Sequence, residues 1–100
     1  MLGSGAFAQR NLNVGMNPVK MLRFYPNPAT TTISFNFQRD YENTYTLQIY
    51  NFMGKKVYDL KNTPPNVRVG LEDFYRGIYI YQLRNKNGII VDSGKFQVIK

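Results

Sequence analysis

Neither cysteine nor histidine occurs in these 100 residues. Without cysteine the fold rests on no disulfide and offers no thiolate metal site. Without histidine the commonest general base and the commonest metal ligand are missing. Ser4, Ser34 and Ser93 therefore cannot join a serine–histidine–acid triad. Acidic side chains are scarce, six in all, and the adjacent Glu72 and Asp73 would point to opposite faces if extended. The expectation is a chain that is not an enzyme and takes no cofactor or metal. No apolar run approaches the ~20 residues of a membrane-spanning helix, so no transmembrane segment is expected.

What is present is basic and aromatic, with a formal net charge of +7 and 15% aromatic residues. The positive charge is spread along the chain, and its longest run is Lys55–Lys56. A nucleic-acid binder gathers its cations into a stripe with stacking aromatics, so no nucleic-acid partner is expected. The charge either solubilises the surface or draws the chain to an anionic surface or partner.

Residues 1–20 carry Gly, Asn and Pro without periodicity and read as a linker. Within it, Ala6-Phe7-Ala8 before Gln9 has the form of a signal-peptidase site, although no basic start or apolar stretch precedes it. The tail of a signal peptide, a cloning scar and chance all account for it. The first would place the mature chain outside the cytoplasm.

From Met21 to the end the pattern has period two. "TISFNF" sets Ile33, Phe35 and Phe37 against Thr32, Ser34 and Asn36. "YTLQIY" sets Tyr45, Leu47 and Ile49 against Thr46, Gln48 and Tyr50, and "GKFQVIK" sets Phe96 and Val98 against Lys95 and Gln97. Such alternation predicts half-buried antiparallel strands, with Ile33, Phe35, Leu47, Ile49, Phe96 and Val98 in one core. "MLRFY", "KKVYDL", "NVRVGL", "GIYIYQLR" and "GIIVDS" are further β-rich stretches. Turn signals at 40–43, 52–54, 62–66 and Asn87-Gly88 part them about every ten residues. No internal repeat is evident. The expected fold is all-β, an immunoglobulin-like antiparallel sandwich of about seven short strands over 21–100. In "GIYIYQLR", Tyr79, Tyr81 and Leu83 share one face and Ile78 and Ile80 the other. One of these sets is either a partner surface or lies under the turn at 71–75.

"RFYPNPA" stiffens the chain just before its first clear strand. Pro26 and Pro28 fix φ and withdraw two donors, pushing Tyr25 and Asn27 toward extended geometry. Asn27 between them is expected to bond its own backbone in an Asx turn. This reads as a rigid corner leading into an edge strand, with Tyr25 covering one end of the sandwich.

"FYPNPA" at 24–29 also resembles the signature that opens the C-terminal sorting domain of proteins exported by the type IX secretion system of Bacteroidetes. "IYNFMGKKVY" resembles that family's middle motif, a turn glycine before a strand valine, here Gly54 and Val57. "LEDFYRGIYIYQL" is similar to its Leu…Gly-x-Tyr element, through Leu71, Gly77 and Tyr79. "NGIIVDSGKFQVIK" resembles its terminal hairpin, through Gly88 and Lys95. Four motifs in order are specific where each alone is weak, and the type A form is the nearest.

The resemblance implies a non-catalytic folded secretion signal, carried through the periplasm and the outer membrane to the cell surface or medium. Its implied partners are the type IX translocon and a sortase-like cell-surface protease, with the sorting residues Tyr25 to Pro28, Gly54, Val57, Leu71, Gly77, Tyr79, Gly88 and Lys95. Type A members are cut upstream of the domain, here between Gln9 and Leu22. Recognition would use open backbone edges and the last hairpin. The family's domain normally ends a larger protein, so the expectation is a fragment or a small secreted protein, and "AFAQ" leans toward the second. An adhesion or carbohydrate-binding sandwich is the rival from another class. The acidic residues are too sparse for the calcium cage it would favour.

Overall fold

The alternating stretches become strands because each can put its apolar side chains inward while its polar ones meet water. The computed structural model describes residues 20–100, so the linker and its "AFAQ" stretch lie outside the described residues. Seven strands run β1 (Leu22–Tyr25), β2 (Thr32–Phe37), β3 (Thr46–Asn51), β4 (Lys56–Leu60), β5 (Asn66–Gly70), β6 (Gly77–Arg84) and β7 (Ile90–Val98). They form two antiparallel sheets, ordered β1-β2-β5 and β4-β3-β6-β7. Constant-type immunoglobulin domains keep the fourth strand with the first sheet; here it pairs with β3 in the second.

The predicted core set is the observed one. Ile33, Phe35, Leu47, Ile49, Phe96 and Val98 are each 0 or 1% exposed. Between the sheets Phe35 meets the ring of Tyr81 edge-on at 5.3 Å and that of Phe96 at 6.1 Å. Phe24 adds a third edge contact, 5.3 Å from Tyr81. Edge-to-face packing of this kind adds about 0.5–1.5 kcal/mol per pair beyond area burial.

Tyr79, Tyr81 and Leu83 face inward and are buried, which leaves Ile78 and Ile80 on the outer face, 44% and 37% exposed. Tyr81 sits opposite Gly94 across the β6–β7 pair. A Cβ on Gly94 would lie 2.6 Å from the Tyr81 ring. The glycine is there because the ring takes its space.

The Tyr81 hydroxyl is buried with no hydrogen-bond partner. Neighbouring Asp92 is engaged elsewhere, its carboxylate accepting from the amides of Leu22 and Ser93. Burial first, then the charge of Asp92 and the pull of its carboxylate on the hydroxyl proton, pushes Tyr81 ionisation well above the ordinary phenol range. Tyr81→Phe should therefore stabilise the domain by about 1–2 kcal/mol, since an orphan buried hydroxyl is removed. The gain should widen above pH ~10, where the unfolded phenol ionises and the folded one does not. Thermal melts at pH 7 and 10.5 measure both effects, and a destabilised Phe variant would mean that the hydroxyl is satisfied.

The two sides of the sandwich are finished differently. On one side β4 and β5 are joined by residues 61–65, and fully buried Thr63 anchors that link. Its hydroxyl lies 3.0 Å from the carbonyls of both Tyr45 and Leu60. Among the described residues the outer edges of β4 and β5 pair with no further strand. On the other side β1 and β7 are the outer strands, and short ties between residues 20–29 and 92–99 bridge them.

Candidate functional site

The ties begin with Lys20, whose ammonium donates to the Ser93 carbonyl and lies 3.5 Å from the Asp92 carboxylate. Asp92 also takes the outward amide of Leu22, at 3.0 Å. Farther along, the side-chain carbonyl of Asn27 accepts from the Gln97 amide at 3.0 Å. Ala29 then donates to the Gln97 carbonyl at 2.8 Å and accepts from the Ile99 amide at 2.9 Å. Ala29 is fully buried and forms a one-residue parallel bridge to Val98. The proline segment is thus zipped along the last strand.

This geometry corrects four expectations. Asn27 does not spend its side-chain oxygen on a local turn; it supplies the acceptor that the edge of β7 lacks. The segment leaves an edge strand, β1, and leads into β2, the centre of its sheet. The far end of the last hairpin is not an open edge, because Asn27 and Ala29 occupy the outward groups of Gln97. Both proline peptide bonds, Tyr25–Pro26 and Asn27–Pro28, are cis. Tyr25 is 44% exposed, with the Arg23 guanidinium 5.4 Å over its ring. It caps no end of the core.

A second set gathers beside the first. Leu71 is fully buried, its amide donates to the Thr31 carbonyl, and the Phe74 amide closes a turn back onto Leu71. The Tyr79 ring is held between Phe74 at 5.0 Å and Phe96 at 5.7 Å. Its hydroxyl donates to the Tyr75 carbonyl at 2.6 Å, and burial pushes its ionisation to a pH above the ordinary phenol range. Lys100 closes the arrangement, with its ammonium 2.6, 3.2 and 2.8 Å from the carbonyls of Leu71, Glu72 and Phe74.

Register shows which expected residues meet. Gly77 pairs with Val98, and Asn51 with Tyr79, so the turn holding Gly54 lies at the same end as Tyr25 to Pro28, Leu71, Gly77 and Tyr79. Val57 is the second residue of β4 at that end, in the bulge where the β3 register shifts between Ile49 and Tyr50. Lys95 stands midway on the outer face, opposite Ile80. Gly88 belongs to the β6–β7 turn at the far end. The expected residues therefore make one cluster with Gly88 left out of it.

Three residues that hold this cluster, Ala29, Gln97 and Lys100, lie inside the quoted motifs but are not among the expected sorting residues. Gly94 did leave a sign, since glycine within a strand marks a close approach. Among the described residues no acids gather into a metal-binding group. A hydrogen bond from Lys56 holds the Asp59 carboxyl below the usual carboxylate range. Nothing in the cluster resembles a nucleophile with its base. What the arrangement offers is shape.

The family of secretion system C-terminal sorting domains matches residues 23–98. Among curated proteins none matches the chain. Among solved structures the fold resembles part of PorZ, an essential bacterial surface component of the type IX secretion system of Porphyromonas gingivalis. The TM-score is 0.65 at 16% identity, over 79% of this chain and 11% of that one. At that identity the likeness concerns the fold.

Proposed function

Because this chain belongs to the secretion system C-terminal sorting domain family, we propose that it is a folded export label for the type IX pathway that catalyses nothing itself. The family match over 23–98 carries the reading. The tie from Asn27 to Gln97 gives it physical form, since it makes the opening signature and the last strand a single surface. In this reading residues 21–100 are the label and 1–20 a linker. The label crosses the periplasm folded, is taken by the outer-membrane translocon, and reaches the cell surface or medium. A sortase-like surface protease would then cut upstream of it, the cleavage chemistry belonging to that protein.

The proposed reading surface is formed by Tyr25 to Pro28, Gly54, Val57 and Gly77, with Lys95 on the adjoining face and buried Leu71 and Tyr79 supporting it from within. Gly88 is kept as a turn former at the far end. Contact through a free strand edge belongs to β4 or β5, whose outer edges are open.

Fusing the full chain behind a periplasmic reporter tests the proposal. The reporter should reach the surface in a cell with type IX machinery and stay periplasmic in a mutant lacking the translocon. Periplasmic retention in both would end it.

A further inference from the structure

Two hairpins of the four-stranded sheet are built on the same five-residue turn, at 51–55 and 85–89. The Gly54 amide donates to Asn51 and the Gly88 amide to Asn85, both at 2.9 Å. The Asn51 amide reaches the Lys55 carbonyl and the Asn85 amide the Ile89 carbonyl, again at 2.9 Å. Each asparagine side chain accepts two amides, those of Met53 and Lys55 in one turn and those of Asn87 and Ile89 in the other. Gly54 and Gly88 have φ of 83° and 81°, the left-handed region open to glycine. The sequence therefore does hold a short repeat, Asn-x-x-Gly, that its flanks conceal.

The repeat is an internal control. At its two free positions one copy carries Lys86 and Asn87, the ordinary choice for a solvated tip. The other carries Phe52 and Met53, each 73% exposed. Folding asks for nothing apolar there. The Asn51 clamp holds the tip in one shape, so little freedom is lost when it docks. Behind Phe52 lies a crevice of about 370 Å³ bordered by Tyr50 and Ile80. Lys55 has no ion pair with any described residue, and Lys56 pairs with Asp59 at 3.0 Å. The turn itself has no carboxylate; Glu72 and Asp73 at that end belong to the turn after β5.

We propose that Phe52 and Met53 form a paired anchor for an apolar pocket, edged by carboxylates, on the protein that reads this domain. The inference rests on the export reading above. Magnitude separates a protein pocket from a bilayer. A whole myristoyl chain gives only marginal, reversible membrane attachment, and these two side chains bury less. In a protein pocket a few rigid central anchors supply most of the affinity. The free Lys55 beside them selects an acidic rim.

The test uses the full chain behind the periplasmic reporter. F52K/M53N copies the twin turn, so it should melt like the parent while export falls about tenfold or more, the scale of a lost hot spot. F52L/M53L keeps the apolar character and should export within about twofold of the parent. Parent-like export of F52K/M53N would overturn the anchor. A lowered melt would overturn the premise that the two turns are interchangeable. Failure of the parent to export would remove the export reading and the anchor with it. Suppose the parent binds vesicles of equal phosphatidylcholine and phosphatidylglycerol and F52K/M53N does not: the occupant is then lipid and the protein pocket is wrong.

Discussion

A chain lacking residues 96–100 is expected not to fold, seen as loss of the cooperative thermal transition by circular dichroism. Phe96 and Val98 are buried between the sheets, and each contributes roughly 1.5–3 kcal/mol by burial alone. The truncation also removes both Gln97 bonds to the proline segment and the Lys100 ammonium from its three carbonyls. Ala29, fully buried against this strand, would be uncovered. A small domain has only ~5–15 kcal/mol of net stability, and these losses together consume it. A cooperative melt surviving the truncation would show that β7 is an accessory to the core and not part of it.

Gly94→Ala should be the most damaging change of a single small side chain. The new methyl would sit 2.6 Å from the Tyr81 ring. That ring is pinned by Phe24 and Phe35 at 5.3 Å each and has nowhere to go. Overpacking of this kind costs about 1–3 kcal/mol, and each kcal/mol moves the melting temperature of a domain this size by roughly 4–8 °C. The cause is checked by a double-mutant cycle with Tyr81→Leu, which vacates the contested space. The pair should lose less than the sum of its parts, with a coupling of about 0.5–3 kcal/mol. Strict additivity would mean that the glycine serves the backbone and not the ring.

Much of the fold was legible because period-two alternation is a local property. Ile33 and Phe35, or Leu47 and Ile49, declare their inward face within six residues, whereas β4, with no buried residue, does not. What stayed hidden depends on which strand neighbours which. Whether β2 is central or at an edge is a matter of pairing, and no residue in "TISFNF" records it. Asn27 looked like a turn former because its partner, the Gln97 amide, is a backbone group that carries no sequence signature. The site residues were grouped by motif order, which says nothing about distance; that Gly88 stands at the opposite end from Gly77 follows only from the hairpin pairing. The twin turns escaped because Phe52-Met53 and Lys86-Asn87 differ so much in chemistry that the shared Asn and Gly were not compared.

The bond between Asn27 and Gln97 spans 70 positions of sequence. The signature's letters are present as soon as residue 29 is made, but its shape is not, since that shape depends on a strand made 70 positions later. A reader of letters would accept a nascent or broken chain; a reader of shape would pass only one whose final strand has been laid down. Read this way, the tie withholds the signature's shape until β7 has joined it. The five-residue truncation distinguishes the two kinds of reader, because it keeps every letter of the signature intact.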